Sequence, residues 1–78
     1  MPKRPLELLG TSGCHLCEIA EALIARCLDF SQVEVELIDI ADTDELMALY
    51  GMKIPVLRCP ESQKVLCWPF DDLAIKSF

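Results

Sequence analysis

Apolar residues recur along the chain in short runs separated by polar turns, and the spacing within each run distinguishes strand from helix. Leu6 to Leu9 follow Pro5 and end at Gly10, a brief apolar run that predicts a buried strand. Thr11, Ser12 and Gly13 then predict a turn, with Thr11 or Ser12 as a helix N-cap. From there Leu16, Ile19, Ala20, Leu23, Ile24, Cys27 and Leu28 keep the i, i+3, i+4 spacing of a helix with one apolar stripe. Val33, Val35 and Leu37 alternate with Glu34, Glu36 and Ile38, a strand pattern that ends near Ile40. Asp42 or Thr43 is placed to cap a short second helix that carries Leu46, Met47, Leu49 and Tyr50 and stops at Gly51, with Leu46, Met47 and Leu49 expected in the core. Ile54 to Arg58 and Lys64 to Trp68 read as two strands joined through Pro60 to Gln63 as a hairpin, and a last short helix is predicted from Asp71.

The resulting order is β-α-β-α-β-β-α. Its first β-α-β unit requires parallel strands, whereas the hairpin requires antiparallel ones, so the fold class is α/β with a mixed four-stranded sheet and helices on both faces. The chain has 78 residues, with no internal repeat, linker or low-complexity stretch. Residues 1–78 are therefore expected to form a single domain, since a second core needs roughly 50 more residues.

Charge narrows the range of partners. Seven Lys and Arg against thirteen Asp and Glu give a formal net charge of −6, which repels phosphate backbones and anionic head groups. Neither nucleic acid nor a membrane is expected as a partner. The run Leu6 to Leu9, interrupted by Glu7, is too short for a signal peptide or a membrane span. A cytoplasmic monomer is the expectation.

Five cysteines, at positions 14, 17, 27, 59 and 67, are dense for this length. Their odd number, without an export signal, favours reduced thiols and one special pair over a disulfide scaffold. That pair is Cys14 and Cys17, in the sequence Cys14-His15-Leu16-Cys17 at the start of the first helix. Unpaired N–H groups and the positive end of the helix dipole favour a thiolate at Cys14. One helical turn later, Cys17 is placed to attack a mixed disulfide formed at Cys14, so the pair can move two electrons. His15 is either an imidazole that supports the thiolate and proton transfer or a solvated helix-start residue.

Other uses of a Cys-x-x-Cys fit less well. A zinc site would need Cys59 and Cys67 as its second half, but seven residues separate them. A hairpin register that pairs Pro60 with Gln63 sets Cys59 across from Lys64 and Cys67 across from Val56, which points the two thiols to opposite sheet faces. Haem attachment would need His where the chain has Glu18. No metal site is expected. Packing accounts for Cys27 and Cys67, and Asp39, Asp42, Asp44 and Glu45 read as solvated helix-start charge.

GTSGCHLCEIA after a strand, then IDI, YGMKIPVL and a short hairpin ending in WPFD, resemble the small bacterial glutaredoxin-like proteins. The resemblance runs from about Leu6 to Asp72 and implies a thioredoxin-like fold. It also implies that Cys14 is the nucleophile, that Cys17 resolves, and that Pro55 beside them has a cis peptide bond. Independently of family, a proline opening an apolar strand removes a ladder donor. Ile54, Lys53 and Trp68 are the further candidates for substrate contact, although for Trp68 capping of the core is the stronger expectation.

Glutathione-using members carry a basic residue shortly before the first cysteine and a glycine pair with a polar cap before the last helix. Here Gly10-Thr11-Ser12-Gly13 and Trp68-Pro69-Phe70-Asp71-Asp72 stand at those places. Glutathione as reductant is thus admitted by the resemblance but poorly provided for, and no bound cofactor is expected. The implied activity is reduction of protein disulfides or of glutathione mixed disulfides. Two other classes stay open: a soft metal or an iron-sulfur cluster held by the Cys pair, and a binding module that has kept the fold without the chemistry.

Overall fold

The computed structural model describes residues 3–78. Its elements are β1 (Arg4–Gly10), α1 (His15–Cys27), β2 (Val33–Asp39), α2 (Asp44–Tyr50), β3 (Val56–Cys59), β4 (Lys64–Cys67) and α3 (Asp72–Ser77), with a 3-10 turn at Ile40–Asp42 ahead of α2. This is the order that the periodicities predict. The sheet runs β2-β1-β3-β4. β1 and β2 are parallel, and the β1–β3 and β3–β4 pairs are antiparallel. The hairpin has the expected register, with Cys59 opposite Lys64 and Cys67 opposite Val56.

Alternation along β1 and β3 divides the core. Leu6, Leu8, Leu57 and Cys59 point to one face and pack with Ala20 and Ile24 of α1 and Ile75 of α3. Leu9 and Val56 point to the other face and pack with Ile40, joined by Leu46 and Tyr50 of α2. The helices therefore lie on both sides, and each face is sealed by branched side chains whose full burial stabilises by about 1.5–3 kcal/mol apiece.

The structure corrects three local expectations. Strand β1 begins at Arg4 rather than Leu6, because Arg4 to Gly10 pair with Val33 to Asp39 along the whole of β2. The α1 stripe is turned towards Cys17, Ala20 and Ile24, while Leu16 and Ile19 stay exposed. The short α3 meets the later turns of α1, where Arg26 pairs with Asp72 at 3.6 Å, so it leaves the earlier turns uncovered. In α2, Leu46 packs inward, but Met47 and Leu49 are exposed. A helix of seven residues lying on one sheet face has room to bury only a narrow stripe.

On the α2 face, Arg58 grips Glu7 on the adjacent strand, with Nη2 and Nε 2.7 and 2.8 Å from the same carboxylate oxygen. Both side chains are largely buried. Burial disfavours the charged guanidinium, yet the bonded Glu7 carboxylate, with the neighbouring Tyr50 hydroxyl, outweighs it and holds the Arg58 pKa above its usual value. This contact ties β3 to β1 a few residues beyond Pro55. Arg58→Ala strands the Glu7 carboxylate and should cost about 1–3 kcal/mol in urea unfolding. The Glu7→Leu, Arg58→Met double variant should recover most of that loss.

Candidate active site

Strand β1 delivers the chain to Gly10, and the turn Thr11 to Cys14 reverses it into α1. The Cys14 N–H donates to the Thr11 carbonyl at 3.4 Å. Gly13 has φ +76° at the third position of this turn, where a type II turn requires a positive φ. The expected cap at Thr11 or Ser12 is not the one formed. Cys14 itself is the N-cap, and its Sγ accepts the Cys17 N–H at 3.1 Å. The turn is one residue longer than the pattern suggests, so the sulfur takes the place that a hydroxyl or carboxylate oxygen usually fills.

Cys14 and Cys17 are joined as a disulfide, with Cα atoms 5.2 Å apart. Cys14 is half-buried, whereas Cys17 is 8% exposed and faces the sheet. The space for its sulfur comes from Gly10, where an added Cβ would stand 2.7 Å from the Cys17 Sγ. Sequence reasoning assigned Gly10 only the end of a strand. The signal was its place just ahead of a Cys-x-x-Cys, where a helix start must approach the strand end closely.

The imidazole of His15 is 83% exposed and lies 3.7 Å from the Glu18 carboxylate, a neighbour one turn along the helix. Pro55 is buried directly before β3. Val56 pairs with Leu9, so Pro55 lies at the same end of the sheet as Gly10. Its peptide bond with Ile54 is cis, as is the Trp68–Pro69 bond, and its carbonyl accepts the Trp68 N–H at 3.0 Å.

Trp68 packs on the α1/α3 core and meets Phe70 edge-on at 5.1 Å, while Ile54 packs against the α2-side core. Lys53 is exposed in the turn after α2. None of these three lines the cleft beside the disulfide, which is walled instead by α1 and the end of β2, with Glu18, Glu21, Leu37 and Asp39 among its residues. Of these four only Asp39 draws notice in the sequence, as solvated helix-start charge, because a parallel edge strand and one flank of a helix meet only in three dimensions.

Cys27, Cys59 and Cys67 are free thiols. Cys59 ends β3 just before the hairpin turn, where burial raises its pKa but the nearby Ser62 side chain and the Glu61 and Ser62 backbone more than offset this, leaving it below the usual thiol value. Among the described residues, no three His, Cys, Asp or Glu side chains converge as metal ligands, and no helix is long and apolar enough to cross a membrane.

Residues 5–78 match the family described as Glutaredoxin-like domain (DUF836). Protein XcR50 from X. campestris, solved by X-ray, is 32% identical, with a TM-score of 0.80 over 92% of this chain and 91% of that one. Protein Ne2328 from Nitrosomonas europaea, solved in solution by NMR, is 33% identical, with a TM-score of 0.81 over 99% of this chain and 92% of that one. No curated protein matches the chain.

Proposed function

The chain belongs to the glutaredoxin-like domain family, and from that premise we propose that it is a thiol-disulfide oxidoreductase whose reduced Cys14-Cys17 pair reduces disulfides in protein substrates or mixed disulfides. The observation that carries this reading is the sulfur cap. Cys14 Sγ stands at the start of α1 and accepts the Cys17 N–H at 3.1 Å. A hydrogen bond to sulfur favours the thiolate over the thiol, and the positive end of the helix dipole acts in the same direction. The nucleophilic form is thus favoured at the more accessible cysteine.

The reaction balances within the pair. The Cys14 thiolate attacks one sulfur of the substrate disulfide, forming a mixed disulfide and releasing the first substrate thiolate, which takes up a proton. Cys17, one turn away, loses its proton and attacks Cys14 Sγ. The second substrate thiol leaves, and the protein is left with the Cys14–Cys17 bond. Two electrons have moved from the pair to the substrate, with one proton from Cys17 and one from solvent that replaces the proton Cys14 lost on ionising, and an external thiol reductant restores the dithiol. Such a cycle suits the reducing cytoplasm.

The test is stoichiometric. Reduced protein mixed with an oxidised disulfide peptide should lose two thiols for each pair of thiols that the peptide gains. No thiol transfer would overturn the reading. Coupling the cycle to glutathione with its reductase, or to thioredoxin reductase, then identifies the electron source.

Glutathione itself should bind weakly. Where glutathione-using relatives have glycines, Phe70 is 7% exposed and packed edge-on against Trp68, and the Asp71 carboxylate is occupied by the Ala74 N–H at 2.9 Å. A net charge of −6 also repels an anionic tripeptide. Calorimetric titration should show a Kd of about 1 mM or weaker; micromolar saturation would contradict this account.

A further inference from the structure

The cleft beside the disulfide does not end there. A second hollow continues from it between α1 and the edge strand β2, sharing Leu8, Glu21 and Leu37 with the first and adding Phe30 and Val35. The floor is apolar, and two of its side chains are unusually open for their type: Leu37 is 61% exposed and Phe30 42%. The rim is acidic, with Glu18 and Asp39 near the sulfurs and Glu21 midway. Neither hollow has a Lys or Arg among its lining residues. From Cys14 to Ile24 the helical wall is about 15 Å long, room for four or five residues of extended chain. The wall opposite is β2, whose outer edge pairs with no other strand among the described residues.

We infer that this groove docks the substrate polypeptide, and that it selects disulfides flanked by basic residues with an apolar side chain nearby. This rests on the oxidoreductase reading for its chemistry and adds to it the class of substrate. Glu21, Glu18, whose one cationic neighbour is the exposed His15 imidazole at 3.7 Å, and Asp39, whose Oδ1 also accepts the Ala41 N–H at 2.9 Å, attract Lys or Arg beside the substrate cysteine. The Leu37 and Phe30 surfaces then cover one apolar side chain further along. The same field disfavours acidic peptides. The groove lies on the β2 side of the sulfurs, whereas Pro55 lies on the β3 side, so a substrate seated here approaches the disulfide from the edge of the sheet.

Two disulfide-closed peptides test this, alike in carrying one Leu but with Lys beside the cysteines in one and Glu in the other. Reduced protein should react with the Lys peptide at least about tenfold faster at low ionic strength, the lower end of electrostatic steering. The preference should shrink in 0.5 M salt, where the screening length falls to about 4 Å from about 30 Å in a 0.01 M buffer, and should collapse in Glu21→Lys and weaken in Glu21→Gln. In parallel, the Lys peptide with Ser in place of both cysteines, titrated into the oxidised protein, should shift the NMR amide signals of Glu21, Phe30 and Leu37. Reduction of both peptides at equal rates, or an unshifted groove, would overturn the inference. So would shifts of the same amides on concentrating the protein alone, since a second copy would then be the occupant. If the Ser peptide binds but neither disulfide peptide is reduced, it is the oxidoreductase reading that fails and the docking surface that stands.

Discussion

Cys14→Ser should abolish attack on a disulfide substrate, whereas Cys17→Ser should still attack and then hold the substrate as a mixed disulfide on Cys14. The two cysteines occupy different positions on α1, and the difference in outcome follows from that. Cys14 is the cap, half-buried and bonded by a backbone N–H; Cys17 is 8% exposed against Gly10. Removing the nucleophile should lower the rate by about 10³-fold or more. Serine is itself a good N-cap, so Cys14→Ser keeps an acceptor for the Cys17 N–H and the loss of activity is not a loss of fold. Of the other thiols, Cys59 is 2% exposed, and Cys27 and Cys67 stand at the end of α1 and of β4 rather than at a helix start, so none replaces Cys14. Mass spectrometry after mixing each variant with a disulfide peptide should find one adduct per chain on Cys17→Ser and none on Cys14→Ser. An adduct on Cys14→Ser alone would reverse the roles, and no adduct on either would remove the oxidoreductase reading.

The parts of this site that could be read from the sequence are those written into consecutive residues. The Cys-x-x-Cys spacing, its place between a strand and a helix, and the proline at the start of β3 are all local. So is the hairpin, whose four-residue turn fixes a register that sends Cys59 and Cys67 to opposite faces. What escaped depends on which elements become neighbours. The tilt of α1 decides that Cys17 rather than Leu16 or Ile19 is buried, and helical periodicity alone cannot choose between flanks of a broad apolar stripe. Leu37 continues the alternation of Val33 and Val35, which pack on the α1/α3 core. It is exposed because β2 is an edge strand and α1 stands over β1, leaving a gap above β2 that forms the groove. Met47 and Leu49 escape burial for a related reason, since a two-turn helix covers little of its sheet face. The sulfur cap was hidden because cysteine is not among the residues that ordinarily cap helices.

Gly10→Ala should leave the chain folded but shift its dithiol-disulfide equilibrium towards the dithiol. Gly10 does not have a positive φ, so alanine meets no backbone penalty there, and the whole effect is steric. Its Cβ would lie 2.7 Å from Cys17 Sγ and 3.3 Å from Cys17 Cβ. The closer contact is far inside van der Waals distance, and overpacking of this kind costs about 1–3 kcal/mol. The two redox states do not share that cost equally. In the disulfide, Cys17 Sγ is tethered to Cys14 and cannot turn away, whereas in the dithiol it is free to rotate about its Cα–Cβ bond; only the contact with Cys17 Cβ persists in both. The oxidised form is thus destabilised more, and a less stable disulfide means a less negative potential. A differential of about 1–2 kcal/mol corresponds to a rise of about 20–40 mV. Gly13→Ala provides the contrast. Nothing lies within 4 Å of its added Cβ, but its φ of +76° disfavours any side chain, so it should lose about 1 kcal/mol in both states with little change in potential. Equilibration of each variant in graded dithiothreitol buffers, with thermal unfolding of both forms, separates the two effects. A Gly10→Ala potential equal to that of the unmodified protein would mean that the Cys17 sulfur does not rest against Gly10 in solution.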